Sequence, residues 1–138
     1  MPNKATTKLK EFARGLLAHD AASDKSAGSN DFKGFRVCEK LRVPLGRLAG
    51  VSGFRSLLSR ALALAGAEVP WLRALHIKAD GSLEGLETLE AKVDSREVAE
   101  GEFVLVSQLL GLLVTFIGPA LTLQLVHDIW PKMNAPDF

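Results

Sequence analysis

The chain has 138 residues, a formal net charge of +1 and 47% hydrophobic positions, enough for one domain with a real apolar core. Its one cysteine, Cys38, excludes an intrachain disulfide and zinc sites built on several thiolates. The charge is uneven, with fourteen Lys/Arg against seven Asp/Glu in residues 1–80 and three against nine in residues 81–138, so the halves attract each other when packed, or the first half offers a basic surface to a partner.

No apolar run follows the early lysines, so the start does not read as a secretory signal. With a single thiol, the expected setting is cytoplasmic. Residues 5–19 predict a first helix, because Leu9, Phe12, Ala13, Leu16 and Leu17 recur at helical spacing. Thr6 or Thr7 is its expected cap. Residues 20–30 are rich in Ala, Ser, Asp and Gly and read as a flexible loop. Asp31 is the expected N-cap of a second helix with the stripe Val37, Cys38, Leu41, Leu45 and Leu48. Pro44 predicts a kink or a break in it, and Gly50 its end.

Ser52 is the expected cap of a third helix, to about Gly66. Phe54, Leu57, Leu58, Ala61, Leu62 and Ala65 face a core, while Ser52, Ser56, Ser59, Ala63 and Gly66 line a side of small residues. Pro70 opens a short helix through Trp71 and Leu72. Residues 75–86 then alternate loosely about Asp80-Gly81 and predict a short β-hairpin with a two-residue turn, which must lie against helices to be stable. Asp94 and Glu97 have the spacing of a capping box for a long helix to Ile117, with Ser95 a competing cap one residue on. Gly118-Pro119 ends it and opens a last helix to about Trp130; residues 132–138 read as a frayed tail. The fold expected is all-α, a compact single-domain bundle of five to six helices over residues 1–138 with one hairpin near 75–86.

Phe103–Val126 contains no charged residue and is long enough to span a bilayer. Three features favour a soluble core helix instead. Gly118-Pro119 interrupts the stretch, Gln108 and Gln124 need polar partners, and its leading edge carries Glu97, Glu100 and Glu102 rather than cationic anchors. A helix apolar nearly all round must be enclosed. Short neighbours do that poorly, so burial in a homodimer is expected, with Leu105, Leu109, Leu112, Leu113 and Phe116 at the interface.

Catalytic constellations are weak. His19, His76 and His127 are dispersed, and no pair has metal-ligand spacing on one helical face. Cys38, on an apolar stripe, reads as an inert thiol, although Arg36 and Lys40 are close enough in sequence to activate it. Gly46, Gly50 and Gly53 follow no strand and precede no Lys-Ser or Lys-Thr pair, so the phosphate-loop pattern fails. Glu84, Glu87 and Glu90 read as a solvated face. No catalytic, cofactor or metal residue is therefore expected. Leu45 to Ser52 imitates the start of a helix-turn-helix, but the next apolar positions fall on Ser56 and Ser59. The basic set Arg36, Lys40, Arg47, Arg55 and Arg60 suits phosphate contact. The leading reading is a non-enzymatic, self-associating interaction or regulatory module that binds itself or another protein. The alternatives are a DNA- or RNA-binding regulator acting through helices 31–66, a membrane-associated protein using 103–126, and a small apolar ligand held between helices.

Overall fold

A computed structural model describes residues 4–23, 33–85 and 92–131. The order is α1 (Lys4–Ser23), α2 (Lys33–Glu68), a 3-10 helix (Pro70–Ala74), β1 (His76–Ile77), β2 (Leu83–Glu84), α3 (Ser95–Ile117) and α4 (Pro119–Ile129). Among the described residues the protein is mostly helical with a two-stranded antiparallel sheet, and it has four helices rather than five to six.

The difference in count arises in α2. The expected second and third helices form one run with a sharp break at Gly50, where φ is 81° and ψ 160°. Cys38 and Leu58 line the same cleft. A straight helix would hold them about 30 Å apart, so the two arms fold back on each other. Pro44, where a kink or a break is expected, lies within continuous helix, so it does not break α2. A proline removes one hydrogen bond and bends a helix, whereas a reversal needs a left-handed residue, which glycine adopts without strain. Leu48 is corrected too, being 50% exposed where the first arm ends.

α1 starts before Thr6 and Thr7 and runs through Ser23, so neither threonine caps it and it takes in the start of the expected loop. The rest of that loop, Asp31 and the expected tail 132–138 lie outside the described residues. The stripe is as read: Phe12, Ala13 and Leu16 are buried and Leu9 and Leu17 partly so.

The hairpin pairs His76 with Glu84 and Ile77 with Leu83. Its loop has three residues, Ala79, Asp80 and Gly81, closed by Lys78 N–H donating to the Ser82 carbonyl at 2.8 Å, rather than the expected two, Asp80-Gly81. Gly81 N–H donates to the Lys78 carbonyl at 2.9 Å, placing Ala79 and Asp80 at the turn's centre and Gly81, φ 90°, just after it. Asp80 Oδ1 accepts from Ser82 N–H at 2.9 Å and Ser82 Oγ at 2.6 Å. The hairpin leans on α2: a Cβ at Gly81 would come within 2.9 Å of the Phe54 ring.

Asp94 caps α3, accepting from Glu97 N–H at 2.9 Å. Gly118, φ 86°, returns its N–H to the Val114 carbonyl, and Pro119 opens α4. α3 is the central element, packed mainly on α2 and also on α1. Leu105, Val106, Leu109, Leu110 and Leu113 have no exposed surface. At 100° per residue they and Val104 cover more than half the helix circumference.

Candidate interaction surfaces

The five residues expected at an interface separate into two groups. Leu105, Leu109 and Leu113 are fully buried within this one chain, Leu112 is partly covered, and Phe116 is 59% exposed. Enclosure of the first three comes from α1 and the two arms of α2, which the sequence reads as too short for the task. Leu105, Leu109, Leu112 and Phe116 still form one stripe, at i, i+4, i+7 and i+11. The stripe begins deep in the core and leaves its cover in the last turn of α3. Leu121, 38% exposed, stands just past the Gly118-Pro119 corner. Phe116 and Leu121 therefore flank that corner as large apolar side chains in solvent. Sequence periodicity puts Phe116 on this stripe but gives no sign of where the cover stops, and it does not mark Leu121.

A second group of exposed apolar side chains, Val43, Leu48 and Val51, each 50% exposed, surrounds the α2 reversal. Arg47 projects among them in sequence and is exposed.

The expected basic surface is divided. Arg36 is partly buried and lines a cleft of about 220 Å3 with Cys38, Glu39, Leu58 and Ser82. Lys40 lies over the Trp130 ring, 6.0 Å from its centroid. Arg47, Arg55 and Arg60 are exposed. Arg42, outside the expected five, is held by Glu39 through Nε at 2.9 Å and Nη2 at 2.6 Å. The break at Gly50 and the outward-facing Ser56 and Ser59 do not form the compact two-helix core of a helix-turn-helix.

His76 and His127 are exposed and His19 partly so. Among the described residues, no group of three or more His, Cys, Asp or Glu side chains is placed to hold a metal ion. Of the acidic run, Glu84 is exposed, while Glu87 and Glu90 lie outside the described residues. Arg14, in turn, stacks on Phe103 at 4.2 Å, a contact across two helices that sequence spacing does not reveal.

Cys38 is 3% exposed, and burial, with Glu102 and Glu39 adding to it, pushes its thiol up to about 12. Arg36 and Lys40 do not activate it. The thiolate is the reactive form. In the folded protein Cys38 is expected to resist a thiol-specific disulfide reagent at pH 8 and to react fully once denaturant is added; rapid labelling of the native chain would contradict its burial. The same shift carries a pH dependence. Above about pH 9 the thiol of the unfolded chain ionises while that of the folded chain keeps its proton, so this group lowers stability progressively as pH rises toward 12.

Arg96–Ile117 is long and apolar enough to cross a membrane by length and composition, with a mean hydropathy of 1.6. The core helix of a soluble protein meets the same criterion, and here α3's buried face is occupied by α1 and α2.

No protein-family model, curated protein or solved structure matches this chain.

Proposed function

We propose that this chain is a non-enzymatic, cytoplasmic interaction module of regulatory or adaptor type, and that it self-associates through the α3–α4 corner. The supporting observation is the stripe Leu105, Leu109, Leu112 and Phe116, which is buried at one end and open at the other, where Phe116 is 59% exposed. A phenylalanine contributes about 1.5–3 kcal/mol when it moves from water to a packed site, so an exposed one at the end of a core stripe favours a second apolar surface. A two-fold axis near the corner brings Phe116 and Leu121 of both copies into one cluster. This interface is smaller than one made from the whole of α3, since Leu105, Leu109 and Leu113 are committed to the chain's own core. A membrane role for 103–126 is less well supported, because it would require α1 and α2 to leave that core.

Light scattering tests the proposal. The wild-type chain at micromolar concentration is expected to show about twice its 14.9 kDa mass. Phe116→Glu combined with Leu121→Glu is expected to show the single-chain mass, with an unchanged far-UV spectrum because both sites are exposed. A wild-type monomer, or a double variant that remains dimeric, would overturn the reading.

A further inference from the structure

On a different face from the apolar corner, we propose that the outer side of α2's second arm binds the phosphodiester backbone of a nucleic acid strand. The sequence sets up the charge. Between Glu39 and Glu68 there is no acidic residue, while Lys40, Arg42, Arg47, Arg55 and Arg60 fall in the same interval. The structure then selects among these cations. Arg42 is engaged by Glu39, and Lys40 lies over Trp130. Arg55 and Arg60 are exposed and, among the described residues, form no ion pair.

Helix geometry gives the two arginines a common target. At 100° per residue they lie about 140° apart, one on each side of Ser52, Ser56 and Ser59. These serines are exposed, and Phe54, Leu58 and Ala61 hold the opposite side of the helix in the core. The result is a shallow groove of about 530 Å3, floored by serines and walled by guanidinium groups. A second groove of about 300 Å3 shares Arg55 and Ser59 with the first and continues to His76 and Ile77 of the hairpin. Among the described residues, no carboxylate lines either groove.

Charge complementarity favours an anionic strand over other occupants. Arginine and serine are standard phosphate contacts that position a backbone without reading its sequence. The small floor lets a backbone approach closely, and Arg55 stands where the two grooves join, so successive phosphates meet Arg60, Arg55 and the His76 ring in turn. Contacts from arginine and serine to phosphate carry no base information, so recognition is of the backbone and independent of sequence.

The test is fluorescence anisotropy on the full chain, with a short fluorescein-labelled single-stranded oligonucleotide of mixed sequence titrated at several salt concentrations. Binding is expected to weaken linearly on a log–log plot against salt. Arg55→Ala with Arg60→Ala is expected to reduce that slope by about two and to weaken low-salt binding by about tenfold or more. The double arginine variant is expected to keep the wild-type mass in light scattering, which separates this face from self-association. Absence of salt-dependent binding, indifference to the double arginine variant, or equal affinity for poly-glutamate would overturn the proposal; the last outcome would assign the face to an acidic protein surface.

Discussion

Leu113→Asp is expected to abolish cooperative unfolding and leave an aggregating or unfolded chain. Leu113 has no exposed surface and lies on the central helix, in contact with the main cluster of buried side chains. Truncating such a leucine costs about 2–5 kcal/mol. Aspartate adds the cost of a carboxyl group with no partner, which stays several kcal/mol even after the group takes up a proton to avoid burying charge. Together these approach the whole stability of a domain of ordinary size, about 5–15 kcal/mol. The control lies one turn further along the same helix. Phe116→Asp makes a comparable chemical change at a site 59% exposed, and its thermal transition is expected to stay cooperative. If thermal melts of the two variants are alike, the burial gradient along α3 is wrong.

Gly101→Ala is the second large effect. Alanine is ordinarily the better helix residue by about 0.8–1.0 kcal/mol. At this position, however, a Cβ would run into the indole of Trp71, only 2.8 Å from Cη2 and even closer to the neighbouring ring carbon. The 3-10 helix that carries Trp71 is tied in place by Leu72, which is fully buried, so the ring has little room to retreat. Overpacking of this kind costs about 1–3 kcal/mol. Gly101→Ala is therefore expected to lower the melting temperature by several degrees, and Trp71→Leu in the same chain to recover part of the loss. Gly46→Ala supplies the opposite sign: it is helical, nothing lies within 4 Å of the added carbon, and the change is expected to stabilise. Equal shifts for the two alanine variants would show that the indole does not pack on Gly101.

The features legible in the sequence were those with a local physical cause. Asp94 and Glu97 marked the start of α3 because a capping carboxylate has to accept from the third N–H beyond it. Gly118-Pro119 marked the next corner because glycine takes the positive φ and proline opens the following helix. The stripe of α1 followed from its period alone. What escaped depends on tertiary placement. Gly50 was legible as the end of the second helix, because glycine takes a positive φ without strain, but that the next arm then folds back on the first depends on their packing. Local patterning likewise shows that α3 is apolar all round without showing that α2 doubles back and covers it. For the same reason Leu105, Leu109 and Leu113 read as a partner surface, although the chain itself encloses them. The basic face was legible only as a list; Lys40 belongs to Trp130 and Arg42 to Glu39 because of contacts three to ninety residues away.

Self-association through the α3–α4 corner is tested most directly by capturing the neighbour. A photoreactive benzoyl-phenylalanine placed at position 116 is expected, after irradiation, to yield a covalent product of twice the 14.9 kDa chain mass, with the cross-link mapping to residues near 116–121 of the second copy. The same probe at Ser56, on the exposed polar face of α2, is expected to leave the chain at single mass. A product of single mass at position 116, or equal capture from both positions, would contradict the account.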